Sequence, residues 1–293
     1  MDNKKVHYYK GLEAFTLENH DLKLTILPTM GLKIASLLVK EKEFELVFQP
    51  TDDNYKQADY GSDFSEYDTS GIDDCLPTID ACKYKDGFIL PDHGEVWSSR
   101  FEIISHDSNS IKGKLKLKSI PLEFTKGIVL KDSKVTINYS VKNLDKIDHY
   151  YLWAFHGLNN YNMDTELIFP DEYKDYINVQ NDETWDFDIK KLANFKKDKT
   201  YKYYFTNELE QGWAGLDHKN SKIKYIINFD TKMNPYLGVW LTTGEFKNEK
   251  NVAIEPCNGF YDSLEKAISL GKAKSIEANK HHDWSINLDI INY

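Results

Sequence analysis

Two ionisable residues stand at the ends of apolar runs, where a strand of a β-protein would end. His156 follows LWAF and precedes a glycine, and Glu255 follows VAI and precedes a proline. A histidine in this position is either a satisfied core residue or an acid–base group held by a sheet. A glutamate there is rarely buried unless it is paired or functional, and burial strengthens a carboxylate as a base. The pair is therefore a candidate for general acid–base chemistry.

Two polar segments upstream supply further candidates. PDHGEVW contains His93, Glu95 and Trp97, and the glycine after the histidine permits a tight turn. This segment is either a surface turn or one wall of a site that these side chains line. SGIDDCLPTID places Asp73 and Asp74 side by side in an otherwise apolar stretch. That stretch is either a solvated turn or a loop that presents one carboxylate, for which we take Asp74, to a ligand.

The composition disfavours several classes of function. The 293 residues carry a net charge of −10, which argues against a nucleic-acid partner because such proteins need a basic surface. Arg100 is the single arginine, so the bidentate clamps that suit phosphate are nearly absent and a phosphorylated substrate is disfavoured. No apolar run approaches the roughly 18 residues of a membrane helix. We therefore expect neither a nucleic-acid nor a membrane partner.

The cysteines indicate a reducing compartment. Cys75, Cys82 and Cys257 are odd in number and lack the close pairs that zinc sites favour. We predict reduced thiols and no metal site. The N-terminal residues lack the apolar segment of a signal peptide, and we expect a cytoplasmic protein.

The elements that must hold these residues are mostly strands. LKLTILP, IKGKLKLKS and KVTINYSVKN alternate apolar and polar residues, and turn sequences such as LKDSK separate the runs. YYLWAF lacks this alternation and predicts a strand covered on both faces. Residues 177–200 predict a long loop. Many strands at short spacing predict an all-β protein, with residues 1–293 forming one domain.

One short segment predicts a helix. In DSLEKAISLG, Asp262 can cap the helix with Glu265 as its capping-box partner. Gly271 suits the position just beyond the last turn, where a left-handed backbone is common.

Taken in order, these segments resemble the aldose 1-epimerase (galactose mutarotase-like) family. NHDLKLTILPTMGLKIASL is similar to its opening strands, DHGEVW to its first histidine loop, AFHGLNNY to its second histidine motif and IEPCNGFYDSL to its glutamate–proline motif. No single motif is specific, but the ordered set covers nearly the whole length. The resemblance implies a β-supersandwich, in which two large antiparallel sheets with few short helices carry a sugar site on one face.

The resemblance also implies roles for individual residues. His156 matches the family's general acid, Glu255 its general base, and His93 a histidine that hydrogen-bonds the sugar near the ring oxygen. The implied activity interconverts the α and β anomers of a free aldose and needs no cofactor. We expect a small-molecule sugar as the partner of a monomeric or homodimeric protein.

Further side chains are candidates for binding the sugar. Trp97, Trp153 and Trp240 can stack on its C–H face. Asn258 and Asp262 can hydrogen-bond its hydroxyls, or they can serve as buried cap and turn residues.

The sequence departs from the family's galactose enzymes in what recognises the substrate. Their arginine upstream of the first histidine is replaced here by the region of Asp73 and Asp74, and their sugar-binding aspartate has no clear counterpart between residues 200 and 235. One alternative is a non-catalytic sugar-binding or sensor protein on the same fold. Another is a glycoside hydrolase that uses Asp74 and Glu255. Presence of both His156 and Glu255 favours the epimerase.

Overall fold

The computed structural model describes residues 7–180 and 184–293, except for the side chain of Asp86. The first twelve strands in chain order are β1 (His7–Tyr9), β2 (Leu12–Glu18), β3 (Leu22–Leu27), β4 (Lys33–Val39), β5 (Phe44–Glu45), β6 (Ile72–Cys75), β7 (Cys82–Lys83), β8 (Ile89–Leu90), β9 (Glu102–His106), β10 (Ser110–Lys116), β11 (Leu122–Lys131) and β12 (Lys134–Asn143).

The second half of the chain continues in the same way. Its strands are β13 (His149–Tyr151), β14 (Ala154–Asn159), β15 (Thr165–Ile168), β16 (Tyr176–Asn178), β17 (Thr200–Phe205), β18 (Trp213–His218), β19 (Ile223–Phe229), β20 (Tyr236–Thr243), β21 (Lys250–Cys257), β22 (Lys274–Ile276) and β23 (His281–Asn292). The helices are α1 (Leu264–Ser269) and the short 3-10 turns Phe64–Glu66, Lys85–Gly87 and Leu192–Asn194.

The strands form two large antiparallel sheets, and the predicted all-β class is confirmed. The eleven-stranded sheet runs in the order β1-β2-β3-β4-β6-β14-β21-β20-β17-β16, with β5 paired to β4. The eight-stranded sheet runs β15-β18-β19-β23-β12-β11-β10-β9. The pairs β13-β22 and β7-β8 stand apart from both. No helix within the described ranges is long and apolar enough to cross a membrane.

Buried and exposed side chains alternate along the strands, so that one face of a sheet packs against the core. In β12, the side chains of Val135, Ile137, Tyr139 and Val141 are buried, and those between them are not. Each such apolar side chain contributes roughly 1.5–3 kcal/mol when it leaves water. The strand predicted for KVTINYSVKN therefore forms as its pattern requires.

The predicted strand YYLWAF is two strands instead of one. β13 ends at Tyr151 and β14 begins at Ala154, and the two lie in different sheets. Leu152 and Trp153 between them are fully buried. All six residues of β14 are buried, which matches the expectation of a covered strand for this half.

The helix α1 has a different cap from the one predicted. Ser263, rather than Asp262, is the capping residue, and its hydroxyl accepts a hydrogen bond from the Lys266 amide at 3.3 Å. The Asp262 carboxylate instead accepts a hydrogen bond from the Tyr204 hydroxyl. Gly271 follows the last turn with a φ of 67°, as predicted.

A buried ion pair joins the two large sheets. The ammonium of Lys126 on β11 lies 2.7 Å from the carboxylate of Asp74 on β6, and both side chains are fully buried. The Trp153 indole donates to the other carboxylate oxygen at 3.1 Å. Burial raises the pKa of Asp74, and the Lys126 ammonium opposes that rise. Each charge therefore depends on the other for its place in the core.

Replacing Lys126 by methionine should lower the free energy of unfolding by about 3–5 kcal/mol, because Asp74 is left buried without its counterion. Urea-induced unfolding followed by tryptophan fluorescence measures the change. Adding Asp74→Asn to the same variant removes the stranded charge and should restore part of the loss. Equal stabilities of the wild type and Lys126→Met would contradict this account of the ion pair.

Candidate active site

A cavity of about 310 Å³ lies over the middle strands of the eleven-stranded sheet. The strands β14, β17, β20 and β21 contribute His156, Leu158, Lys202, Trp240, Asn251 and Glu255 to its lining. Loop residues complete it, among them Phe64, Asp80, Asp92, His93, Phe246 and Asp262. The chemistry-bearing residues of several distant segments therefore meet in one place.

The register of three neighbouring strands brings the acid–base candidates together. His156 on β14 pairs with Asp73 on β6. On its other side, β14 pairs with β21 through Ala154 with Cys257 and Leu158 with Ala253, which puts His156 opposite Glu255. Opposed residues of paired strands point to the same face. The sheet thus presents Asp73, His156 and Glu255 on its cavity face.

A network of buried charged residues contacts His156 on the Nδ1 side of its ring. Its Nδ1 lies 2.8 Å from an oxygen of Asp73. The other oxygen of Asp73 lies 3.3 Å from the ammonium of Lys33 on β4, which also contacts Asp68 at 2.8 Å. Burial raises the pKa of Asp73, but the Lys33 ammonium and His156 outweigh it and bring that pKa to about 2. An ionised Asp73 fixes the proton on Nδ1 of His156, so Nε2 is the nitrogen available for chemistry.

His93 stands beside His156 in a constrained loop. Its backbone has a φ of 55°, and its Nδ1 lies 3.0 Å from the Asp92 carboxylate. The ring stacks on Phe64 with centroids 3.9 Å apart and meets the ring of His156 at 5.4 Å. The next residue, Gly94, has no room for a side chain, because a Cβ would lie 2.1 Å from the carbonyl oxygen of Leu76. The turn thereby places His93 in the cavity wall.

Glu255 is paired with a lysine that sequence reasoning missed. Lys202 on β17 donates a hydrogen bond to Oε2 of Glu255, while Oε1 has no hydrogen-bond partner among the described residues. The intervening residue on β20 is Gly238, where a Cβ would lie 2.9 Å from the Tyr204 ring and 3.4 Å from Oε2 of Glu255. The missing side chain leaves room for the Tyr204 ring. A lone lysine inside the aromatic strand TYKYYF was the signal that could have identified Lys202.

Carboxylates dominate the end of the cavity around Asp262. This residue lies 3.6 Å from the ammonium of Lys202, and its backbone carbonyl accepts from the Asp80 amide at 2.8 Å. Burial and the nearby Asp262 charge raise the pKa of Asp80. The Lys202 ammonium is therefore shared between Glu255 and Asp262.

The predicted sugar-binding residues divide into two groups. Trp240 lines the cavity, and its indole donates to Asn251 at 3.3 Å. Trp97 is outside the lining and buried, with its ring packed edge-on against Phe64 at 5.0 Å. Its position supports the Phe64–His93 stack rather than a contact with a ligand.

Asp74 and Asn258 also lie away from the cavity lining. Successive residues of a strand point to opposite faces, so Asp73 faces the cavity while Asp74 faces Lys126 in the core. The Asn258 side chain accepts a hydrogen bond from the Trp153 amide at 2.7 Å and is buried. Neither position supports the expected contact with a ligand, and the buried Asp74 is not placed to act with Glu255 as the hydrolase alternative requires.

The described residues contain no group of three or more histidines, cysteines or acids placed to hold a metal ion. Cys75, Cys82 and Cys257 are buried and form no disulfide.

Replacing Gly238 by alanine should destabilise the protein by about 1–3 kcal/mol, because the methyl group crowds the buried ring of Tyr204. Gly127→Ala is the matched control in another strand, since its Cβ would meet nothing closer than 3.7 Å. Urea unfolding of both variants measures the difference. A Gly238→Ala protein as stable as Gly127→Ala would show that the close approach at β20 is not required.

Known structures share this architecture, although no family model and no curated protein matches the sequence. The Slr1438 protein from Synechocystis sp. PCC 6803 superposes with a TM-score of 0.78 at 15% identity, covering 100% of both chains. A galactose mutarotase related enzyme from Lactobacillus acidophilus gives 0.71 at 19% identity, covering 95% of this chain and 97% of its own. A galactose mutarotase-like protein from Clostridium acetobutylicum gives 0.70 at 13%, covering 98% and 97%. The chain therefore has the galactose mutarotase-like fold that its ordered motifs predicted.

Proposed function

We propose that this protein is an aldose 1-epimerase, which interconverts the α and β anomers of a free aldose. The observation that carries the proposal is the placement of His156 opposite Glu255 in one cavity, each anchored through one atom to a buried charged partner. The anchoring leaves Nε2 of His156 and Oε1 of Glu255 for a substrate. The galactose mutarotase names of several proteins with this fold agree with the proposal.

The reaction requires two coupled proton transfers. Glu255 removes the proton from the C1 hydroxyl, and the His156 imidazolium gives its Nε2 proton to the ring oxygen as the bond from C1 to that oxygen breaks. The open aldehyde turns about the C1–C2 bond, and the ring closes on the other carbonyl face as both protons return. A positioned acid or base of this kind contributes about 10²–10⁴-fold.

The surrounding residues prepare both groups for these steps. The ionised Asp73 accepts a hydrogen bond from Nδ1 of His156, so that Nε2 is the nitrogen from which the ring oxygen can receive a proton. His93 stands beside His156, within reach of the same end of a bound sugar. Trp240 offers the cavity an aromatic face for the sugar's C–H groups.

The charges of the cavity favour an aldose without an anionic group. Among the residues that the structure describes, four carboxylates line it, those of Asp80, Asp92, Glu255 and Asp262. Lys202 is the one lysine among the described residues of the lining, and its ammonium already contacts two of these carboxylates. A phosphate or carboxylate on the sugar would be repelled by these carboxylates, and the described part of the lining offers no unpaired lysine to offset that repulsion.

Wild-type protein should accelerate anomer exchange of at least one uncharged aldose, measured by NMR saturation transfer between the two anomeric protons. Glucose, galactose, xylose and less common aldoses form the test set. Binding without exchange for every sugar would contradict the proposal and indicate a carbohydrate-binding protein on the same fold.

His156→Asn and Glu255→Gln should each lower the exchange rate by two or more orders of magnitude, because each removes one of the two proton transfers. His281→Asn and Glu277→Gln, at exposed positions away from the cavity, are the matched controls and should exchange at the wild-type rate. Circular dichroism checks that all four variants fold. Wild-type rates in both site variants would rule out the assigned roles.

The 6-phosphate of the preferred hexose should show a kcat/KM about tenfold or more below that of the sugar itself, because its dianion faces the cavity carboxylates. Exchange rates above the buffer background give the comparison. Asp80→Asn removes one repulsive charge and should narrow the difference. A preference for the phosphate would contradict this account of the cavity.

A further inference from the structure

The carboxylate of Glu255 is buried, and the ammonium of Lys202 contacts it. Its side chain is 1% exposed, and Oε1 has no hydrogen-bond partner among the described residues. Oε2 accepts from the ammonium of Lys202. A carboxylate out of water is unfavourable as an anion unless a counterion offsets the loss of hydration. Lys202 is therefore the group placed to act as the counterion of this carboxylate.

Lys202 is built to remain a cation. Burial lowers the pKa of its ammonium, but Asp262 and Glu255 together raise that pKa above its ordinary value. The ammonium contacts both carboxylates, with Asp262 at 3.6 Å. Asp262 in turn accepts a hydrogen bond from the Tyr204 hydroxyl. When Glu255 takes up a proton and becomes neutral, Lys202 still has a counterion.

We propose that Lys202 is a positioning residue that keeps Glu255 ionised between turnovers and orients it through Oε2, leaving Oε1 to accept the substrate's proton. This inference rests on the proposed epimerase function. It assigns a role to a residue outside the acid–base pair. Lys202 contacts the base, and it acts on the reaction through that base.

Several other ionisable groups surround Glu255, and none replaces Lys202 as its counterion. They are His156 on β14, Cys75 on β6, Cys257 on β21, Tyr204 on β17 and Asp262 before α1. Burial raises the pKa of the Cys75 thiol, and it raises the pKa of the Tyr204 hydroxyl well above its ordinary value, so both are neutral near pH 7. His156 is already paired with Asp73.

The pH dependence of kcat/KM gives a signed test. The rate falls in acid as the base becomes protonated, so the acidic limb reports Glu255. In Lys202→Met this limb should move to higher pH by about 1–3 units, because a nearby opposite charge is lost. Lys202→Arg retains the charge and should keep the limb near its wild-type position. Asp262→Asn removes a competing anion and should move the limb to lower pH.

Infrared spectroscopy tests the same proposal without activity. Lys202→Met at pH 7 should show the C=O stretch of a protonated carboxylic acid that is absent from the wild type. The band should disappear in the Lys202→Met, Glu255→Gln double variant, which assigns it to Glu255. If Lys202→Met does not fold, the pH profiles of kcat/KM for Lys202→Arg and Asp262→Asn still test the proposal.

The outcomes separate this inference from the proposed function. Wild-type protein without exchange for any aldose contradicts the epimerase, and the infrared band still tests the role of Lys202. Wild-type exchange with an unmoved acidic limb in Lys202→Met, or shifts of the same sign in Lys202→Met and Asp262→Asn, would overturn the inference alone.

Discussion

Charges buried on one face of a sheet have to be paired, and this requirement organises the centre of the protein. The strands β4, β6, β14, β21, β20 and β17 lie side by side in this order. All of them except β20 contribute one ionisable side chain to a row, which in the same order is Lys33, Asp73, His156, Glu255 and Lys202. Cations or a titratable base alternate with anions along this row. Asp73 contacts both Lys33 and His156, whereas loss of the Lys202 contact would leave the Glu255 carboxylate buried without a counterion. The row also leaves one free atom on each of the two central groups, His156 and Glu255.

Much of this arrangement follows from local sequence. Alternating strands and ordered motifs predicted the two large sheets, since a half-buried strand needs a period of two. His156 and Glu255 were predictable because each continues an apolar strand, where an ionisable residue requires a reason. His93 was predictable from the turn that Gly94 permits. These residues are far apart in the chain, and the resemblance to one family supplied the expectation that they meet.

What could not be predicted depends on register and on partners from distant strands. Asp73 and Asp74 have similar local sequence, and only the pairing with β14 decides that one faces the cavity and the other the core. Lys33 and Lys202 look like ordinary strand lysines until the sheet places acids beside them. Trp97 was expected to contact a ligand, but its ring packs against Phe64 outside the cavity lining. The residue type alone does not distinguish a tryptophan that contacts a ligand from one that supports a neighbouring ring.

The central claim is that His156 and Glu255 act as one unit on a bound aldose. A double-mutant cycle of exchange rates, using His156→Asn, Glu255→Gln and the double variant, tests it most directly. If ring opening needs both proton transfers, the double variant should exchange little more slowly than the slower single variant, because either loss already disables the same step. Losses that multiply in the double variant, or single variants that match the wild type, would contradict the claim that the two residues work as a pair.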